Sequence, residues 1–270
     1  MEIMDQEWCP DRVRDGITDY LRWFEHFWNI YEPIFPRLKQ VLRELRSGKI
    51  VDLCSGGGGP WVNLYRELDD LKECAPTVYL TDLYPNGSAL EVSRSISSGR
   101  IHFYPEPVSA TNVPTHLTGF RTLFSAFHHF SPPMAKLILI DAMRSNQGIA
   151  IFEITRRSLI VILVMCFSPL FVICTTPFVK PFHWWRLFWT YIIPAIPFAF
   201  MFDSIVSCVR TYSPQELQEL TEDITGGLYH WEYGIEPPGH PSGGITYLIG
   251  YPVPEKDVLK SMRQDTPIRK

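Results

Sequence analysis

The stretch KIVDLCSGGGGPW, residues 49–61, predicts the fold of this 270-residue chain. Ile50, Val51 and Leu53 form a short apolar strand pattern, and four consecutive glycines follow at 56–59. Apolar side chains then recur at helical spacing at Trp61, Leu64 and Leu68. Strand, glycine turn and helix in this order open a nucleotide-binding α/β unit, because glycine lets the backbone turn sharply and approach a ligand closely.

The acidic residue at the end of this strand indicates a family. Asp52 begins an acid-x-x-x-Gly-x-Gly series that continues with Gly56 and Gly58. It resembles motif I of the class I S-adenosylmethionine (SAM)-dependent methyltransferases, acid-x-Gly-x-Gly-x-Gly. Cys54 replaces the first glycine, and a small side chain fits such a turn if φ is negative. The resemblance implies a Rossmann-like seven-stranded sheet and a SAM-binding loop formed by Asp52, Cys54, Ser55, Gly56, Gly57 and Gly58; a purely structural glycine loop is the alternative.

The composition describes a globular chain with ample apolar core material. Hydrophobic residues make up 46% and charged residues 20% of the sequence. A formal charge of −4 and a pI of about 6.1 give no reason to expect a nucleic-acid partner. The six cysteines lack the close paired spacing that suits zinc, so reduced thiols and no metal site are predicted. The N-terminus has no apolar core of a secretory signal, and a cytoplasmic location is expected.

The chain divides into five predicted segments. They are an N-terminal helical cover at 1–46, a SAM-binding core at 47–155, an apolar helical insert at 156–209, the C-terminal part of the core sheet at 210–252 and a tail at 253–270. Further strand patterns lie at 77–80, 101–104, 122–127, 148–154, 228–233 and 245–251, and helical patterns at 17–31, 34–45, 89–96 and 134–143. Ser213 and Glu216 form a capping-box pattern that begins another helix. The aromatic N-terminal helices are interpreted either as a lid over cofactor and substrate or as helix–sheet packing.

The resemblance implies further contacts to SAM. Asp82 follows the second predicted strand, where an acid in this family accepts hydrogen bonds from the ribose hydroxyls, and Leu83 lies beside it. A turn role for Asp82 is the alternative, since Pro-Asn-Gly follows at 85–87. Ser109 and Ala110 stand where the family usually has acid-Ala against the adenine; a serine hydroxyl is the weaker partner for the exocyclic amine.

A histidine pair follows the fourth predicted strand. His128 and His129 lie in the sequence FHHF, which resembles a pattern frequent in small-molecule and quinone methyltransferases. The carboxyl end of the sheet is where ligands bind in open α/β folds. Either histidine is a candidate general base for an acceptor hydroxyl, and a structural role is the alternative.

Two apolar runs separate the fifth and sixth predicted strands. They read LIVILVMCFSPLFVIC at 159–174 and FWTYIIPAIPFAFMF at 188–202, and prolines interrupt both. Tryptophans and basic residues at their edges indicate a helical hairpin that dips into one leaflet of a membrane. A buried cap over the pocket or a dimer interface is the alternative.

These observations predict a SAM-dependent methyltransferase for a hydrophobic small-molecule or lipid-like acceptor. We expect a catalytic domain in the cytoplasm with peripheral or monotopic attachment to a membrane surface. Two alternatives stay open. The replacements at Cys54 and Ser109 are compatible with a methyltransferase-like protein that binds SAM without catalysis, and the insert with a membrane-associated assembly protein.

Overall fold

A seven-stranded sheet forms the centre of the structure, a computed structural model that describes residues 2–71, 75–85, 99–224, 229–236 and 244–253. Its strands are β1 Lys49–Asp52, β2 Thr77–Leu80, β3 Ile101–Phe103, β4 Phe120–Phe124, β5 Ile149–Glu153, β6 Tyr229–Glu236 and β7 Ile245–Pro252. They are arranged in the order β3-β2-β1-β4-β5-β7-β6. Strands β1 to β5 are parallel, and β7 runs antiparallel to both β5 and β6. The predicted Rossmann-like seven-stranded sheet, with its paired terminal strands, is confirmed.

The apolar character of the strands follows from burial on both faces of the sheet. All five residues of β5 and three of the four in β1 are buried. Parallel strands covered by helices on both sides require such continuous apolar runs. The strand order reverses between β1 and β4, and in open α/β sheets ligands bind outside the carboxyl ends of the strands at that reversal.

Nine α-helices surround the sheet in the described part of the chain. They are α1 Asp11–Trp28, α2 Phe35–Glu44, α3 Trp61–Leu64, α4 Pro132–Arg144, α5 Leu159–Cys166, α6 Ser168–Thr175, α7 Trp184–Leu187, α8 Ala195–Arg210 and α9 Pro214–Glu222. The capping box of α9 is present, since Ser213 Oγ accepts from the Glu216 amide and Glu216 accepts from the Ser213 amide. The helix predicted after the glycine loop is a single α-turn followed by a 3-10 helix, Tyr65–Asp70. The predicted helix at 89–96 and the tail beyond residue 253 lie outside the described residues.

The insert is helical, and each of its apolar runs is divided. The first run forms α5 and α6, with a break at Phe167 just before Pro169. The second forms a π-helical turn, Phe188–Ile192, and then α8 after Pro194. No one helix in the described part of the chain has both the length and the apolar character to cross a membrane. Two pairs meet that test jointly, with bends of 45° and 77°: Leu159–Cys166 with Ser168–Phe178, and Trp184–Ile192 with Ala195–Arg210.

Helix α1 packs against the insert rather than only against the sheet. Its buried face joins an apolar cluster with residues of α6 and α8, namely Val13, Ile17, Tyr20, Val172, Ile196 and Phe200. A buried ion pair between Asp19 of α1 and Arg186 of α7 fixes this contact. The Arg186 guanidinium also donates to the carbonyls of Val179 and Pro181, each at 3.1 Å. The N-terminal helix and the insert therefore form one packed unit.

Substitution of Asp19 tests this buried ion pair. We expect Asp19→Ala to lower the free energy of unfolding by about 3–5 kcal/mol, because Arg186 would stay buried without a carboxylate. The control is Asp11→Ala, which removes an exposed pair with Arg14 and is expected to cost less than about 1 kcal/mol. Chemical denaturation measures both variants. Equal effects of the two substitutions would contradict the anchoring role of Asp19.

Candidate functional site

The candidate site lies at the edge of the sheet where the parallel strands end. Asp52 is the last residue of β1, Asp82 follows β2, Ser125 follows β4, and Glu153 ends β5. Because parallel strands have their carboxyl ends at the same edge, these four polar residues come together although 101 positions of sequence separate the first from the last.

The glycine loop adopts left-handed backbone conformations. Gly56, Gly58 and Gly59 have φ values of 50°, 103° and 51°. Cys54 has a φ of 56°, so the negative φ under which a small side chain fits this turn is not what the structure shows. The chain turns directly after β1, and the tertiary position of the loop imposes this conformation on a residue with a Cβ. A single residue held in this region costs roughly 1–2 kcal/mol, and such strain is found preferentially at functional sites.

Short hydrogen bonds connect the glycine loop to β1 and β2. Ser55 Oγ donates to the Asp52 carbonyl at 2.8 Å, and the Ser55 amide donates to the Thr81 carbonyl at 3.0 Å. The Gly58 amide donates to the Ser55 carbonyl at 2.8 Å. The loop is therefore fixed before any ligand arrives.

Asp82 contacts the glycine loop directly. Its carboxylate accepts from the Gly56 amide and from the Tyr84 amide, both at 2.8 Å. The structure thus brings together two residues predicted to share a ligand, and Asp82 also has the turn role considered as the alternative. Burial raises the pKa of the Asp82 carboxyl, although these backbone donors oppose that shift. The Leu83 amide is a third backbone donor to this carboxylate, which has about four lone-pair sites, so about one remains for a ligand. Leu83, next to Asp82, is exposed.

Two further carboxyl groups lie behind the loop. Asp52 is 1% exposed, and its Oδ1 accepts from Thr122 Oγ1 at 2.6 Å. Burial raises the pKa of Asp52 to about 6. Burial and the neighbouring Asp52 charge raise the pKa of Glu25, on α1, to about 8, and Tyr31 is hydrogen-bonded to this carboxyl. This side of the site therefore holds acidic groups that a cation would stabilise in their charged form.

Sequence reasoning did not identify Glu25 as a candidate site residue. Its position is decided by how α1 crosses the sheet edge, which no local pattern specifies. The available signal was the occurrence of one acidic residue inside the aromatic stretch at 20–31.

Helix α1 crosses the glycine loop. A Cβ placed on Gly57 would lie 3.4 Å from Thr18 Cγ2 and 3.6 Å from Arg22 Nη1. Helix α1 therefore lies over the glycine loop, as the interpretation of a cover requires. The buried side chains of α2 instead pack in the core beside the sheet, as the second interpretation requires.

The turn that carries Ser109 and Ala110 adjoins Asp82. The Val108 amide donates to the Asp82 carbonyl at 2.9 Å. Ser109 Oγ shares a hydrogen bond of 2.9 Å with Thr111 Oγ1, and Ala110 is buried. The two residues stand beside Asp82 as the resemblance implies, and their contact with adenine stays a prediction.

The histidine pair is held by carboxylates. His128 is buried, its Nδ1 lies 2.6 Å from Glu153 Oε2, and its Nε2 lies 3.4 Å from Glu2 Oε1. Burial opposes the charge on this imidazole, but Glu153 and Glu2 outweigh burial and raise the pKa of His128 to about 10. His129 is partly exposed, and its Nδ1 lies 3.1 Å from Asp5 Oδ2. The role of general base stays a prediction for both residues; for His128 the two carboxylates weigh against it, because a base must be unprotonated at the working pH.

Comparisons with solved structures find methyltransferases of low sequence identity. A SAM-dependent methyltransferase from Aquifex aeolicus is 15% identical with a TM-score of 0.48, over 87% of this chain and 97% of that chain. The plantazolicin methyltransferase BpumL, in complex with SAH, is 10% identical with a TM-score of 0.47, over 90% and 98%. An O-methyltransferase family protein from Burkholderia thailandensis is 14% identical with a TM-score of 0.47, over 83% of this chain, which spans only 57% of that protein. No protein-family profile and no curated protein sequence matches the chain.

The sheet topology gives the chain the Rossmann-like fold of the class I methyltransferases. Its strand order, its antiparallel β7 and the glycine loop after β1 define that fold without reference to any one protein. Identities of 10–15% and TM-scores below 0.5 carry no inference about activity, which depends on the side chains of this chain itself.

Replacement of Asp52 tests the electrostatics of the site. Because its pKa is higher in the folded chain (about 6) than in the unfolded chain (about 3.9), the folded chain binds more protons between these values and loses stability as pH rises through them. We expect Asp52→Asn to remove this loss and to raise the free energy of unfolding by about 1–3 kcal/mol at neutral pH. The amide oxygen can still accept from Thr122.

The control variant is expected to change the free energy of unfolding in the opposite direction. Asp141 accepts from the buried Arg121 at 2.6 Å, so Asp141→Asn should lower the stability. Urea denaturation at acidic and neutral pH measures both variants. A decrease in stability for Asp52→Asn at neutral pH would show that its charge is not destabilised by burial.

Proposed function

We propose that this chain binds SAM at the glycine loop and transfers its methyl group to a hydrophobic acceptor at a membrane surface. The observation that carries the proposal is the direct contact between Gly56 and Asp82, which follow the neighbouring strands β1 and β2 at the sheet edge. It links a left-handed glycine turn to a carboxylate one βα unit downstream, which is the arrangement that an adenosyl ligand requires.

The residues of the site fit the parts of SAM. Asp82 has acceptor capacity left for a ribose hydroxyl, and the turn at Ser109 and Ala110 adjoins it on the side proposed for adenine. The carboxyl groups of Asp52 and Glu25 lie behind the loop, where the ammonium group and the sulfonium charge of SAM would offset their mutual repulsion. The loop residues Cys54, Ser55, Gly56, Gly57 and Gly58 provide the backbone around the methionine part.

The reaction needs little from the protein beyond orientation. Bound SAM supplies an electrophilic methyl group. The fixed loop, the cover formed by α1 and the sheet edge hold cofactor and acceptor in line and limit the access of water, and such alignment can supply most of the acceleration of a displacement. A protein that binds SAM without turnover is the second candidate, favoured by Cys54 and Ser109; product formation from SAM with a membrane extract distinguishes the two.

Substitution of Asp82 tests the cofactor site. We expect Asp82→Ala to weaken SAM binding about 5- to 150-fold, the equivalent of about 1–3 kcal/mol for hydrogen bonds to a charged group. Calorimetric titration with SAM gives the dissociation constant. The control is Asp223→Ala, because Asp223 is exposed and pairs with Lys136 far from the loop. An Asp82→Ala variant that is folded and binds SAM like the unsubstituted chain would refute the ribose assignment.

The membrane part of the proposal is based on the exposed surface of the insert. Most of the strongly exposed large apolar side chains of the described residues lie there, among them Leu159, Ile160, Leu163, Val164, Phe167, Leu170, Phe178, Trp184 and Ile192. Residues 160, 163, 164 and 167 follow helical spacing, so α5 presents an apolar face outward where a helix in water presents polar residues. Contiguous exposed apolar surface of this kind marks a contact site, and we propose a lipid bilayer.

The edges of the insert favour a bilayer as the partner of this surface. Arg156 and Arg157 precede α5, and Lys180 and the exposed Trp184 lie between the two apolar runs. Tryptophan and basic side chains at the ends of an apolar segment are typical of contact with headgroups. The insert also packs on α1, which crosses the glycine loop, so an acceptor held by the bilayer would lie near the cofactor.

Liposome flotation tests the membrane contact. Ile160 and Phe167 are 74% and 69% exposed, and burial of each such side chain contributes about 1.5–3 kcal/mol. We expect the intact chain to float with vesicles of phosphatidylcholine and an anionic lipid, and the variant Ile160→Asp/Phe167→Asp to bind at least about 100-fold more weakly.

A variant with the same chemistry on another surface is the control. Met134 and Leu137 are exposed on α4, which is not part of the insert, and Met134→Asp/Leu137→Asp should float like the unsubstituted chain. An intact chain that stays at the bottom of the gradient would refute the membrane contact. Sedimentation of that chain as a dimer would then assign the apolar face to a second copy.

A further inference from the structure

We propose that Glu2, His128 and His129 form a binding site for one divalent transition-metal cation of the Zn²⁺ type. Each of the three residues offers one ligand atom, and these atoms all lie within 4.8 Å of one another. The pair His128 Nε2 and Glu2 Oε1 is 3.4 Å apart, and the pair His129 Nε2 and Glu2 Oε2 is 3.5 Å apart. Two imidazoles and one carboxylate are a common ligand set of catalytic zinc and of other first-row metals.

Each imidazole lies near tetrahedral ligand spacing from one oxygen of Glu2. Metal–ligand bonds of roughly 2.0–2.1 Å in a tetrahedron place neighbouring ligand atoms about 3.3–3.4 Å apart. The two imidazole–Glu2 distances are close to this value but run to different oxygens of Glu2, and the three ligand atoms lie within 4.8 Å of one another, so the side chains would have to close around an entering ion.

Carboxylates outside the ligand set orient both imidazoles. His128 Nδ1 lies 2.6 Å from Glu153 Oε2, and His129 Nδ1 lies 3.1 Å from Asp5 Oδ2. Once an entering ion displaces the proton from Nε2, a carboxylate at Nδ1 keeps the remaining proton there, which is the tautomer that binds a metal. Both Nε2 atoms face Glu2. A salt bridge would need only one histidine–carboxylate pair, whereas here both adjacent histidines have a carboxylate at Nδ1 and Glu2 at Nε2.

An unsatisfied buried atom points independently to a ligand. His128 is 3% exposed, and among the described residues its Nε2 has no hydrogen-bond partner of acceptable geometry, although Glu2 is close. Buried polar atoms are nearly always paired, and an exception calls for a physical reason such as an ion at that position. A cation between His128 and Glu2 would provide it.

Helix α8 holds the N-terminal ligand in place. The Asp203 carboxylate accepts from the Ile3 amide at 2.5 Å and from the Met4 amide at 3.1 Å. Ser207 Oγ donates to Glu2 Oε1 at 2.9 Å. The Glu2 side chain is therefore oriented toward the histidines by contacts that leave Oε2 available.

The environment favours a cation and leaves a coordination position open. Glu2, Asp5 and Glu153 place three carboxylates around the site, and a divalent ion that displaces the imidazole protons would offset part of their repulsion. Two nitrogen ligands favour Zn²⁺ and similar metals over Mg²⁺ and Ca²⁺, which prefer oxygen. Three protein ligands leave a fourth position for water, on the side where His129 is 25% exposed.

Zinc titration of the full chain without an affinity tag tests the proposal, because tag histidines would bind the metal themselves. We expect one Zn²⁺ per chain in a competition titration with a chromogenic chelator, and a rise in Tm when Zn²⁺ is added. His129→Ala and Glu2→Gln should each weaken binding at least 10- to 100-fold, the loss that follows even from removal of an outer partner. Glu2→Gln is close to isosteric, so it decides the question if His129→Ala does not fold.

A matched control comes from a second His–Glu pair. His230 Nε2 lies 3.4 Å from Glu232 Oε1, the same distance as between His128 and Glu2, but without a second imidazole in the cluster. His230→Ala should bind Zn²⁺ like the unsubstituted chain. The proposal is overturned if the chain binds no stoichiometric Zn²⁺, or if Glu2→Gln binds it as tightly as the unsubstituted chain, which would assign the ion to the thiols or to another surface. Neither result depends on SAM binding.

Discussion

The common edge at which β1, β2, β4 and β5 end is the constraint on which the rest of the structure depends. Parallel pairing fixes the register of these strands, so Asp52, Asp82, Ser125 and Glu153 must lie along one edge. Each is the last residue of a strand or follows one closely. The glycine loop, the Asp82 contact and the carboxylate that orients His128 are therefore consequences of one sheet geometry.

The cover over this edge is built from segments that are far apart in the sequence. The N-terminal residues are fixed on α8 by Asp203 and Ser207, α1 is fixed on the insert by Asp19 and Arg186, and the same helix crosses the glycine loop. A buried ion pair contributes less to stability than apolar packing of the same volume, but it specifies how two elements are oriented. The insert thus has an inner face that supports the site and an outer face that is apolar and exposed.

The acidic groups of the site are tolerated at a cost in stability. Asp52 and Glu25 have raised pKa values because burial and mutual repulsion disfavour their charged forms. Such groups persist at functional sites, where a ligand of opposite charge restores the balance. Cys54, in a left-handed conformation at the same loop, is a second local cost. Asp52 and Cys54 lie two positions apart in the sequence. The other sequence features of the sheet agree with the fold.

Local patterns in the sequence were sufficient for the sheet, most helices and the glycine loop. Continuous apolar runs indicated buried parallel strands, the Ser213–Glu216 box marked the start of α9, and prolines indicated that the apolar runs would break. These features depend on residues within a few positions of one another. The structure also brings the glycine loop and Asp82 into contact, which is consistent with the nearly fixed length of a βα unit.

Tertiary structure alone decided which distant side chains meet. Glu25 reaches Asp52 only because α1 crosses the sheet edge, and Glu2 reaches His128 only because α8 holds the N-terminal segment there. Likewise, the φ of Cys54 follows from where the loop must go rather than from the preference of cysteine. The sequence by itself determined the sheet and its ligand-binding edge through short-range periodicity. The composition of the site depended on packing between helices, which no short-range pattern encodes.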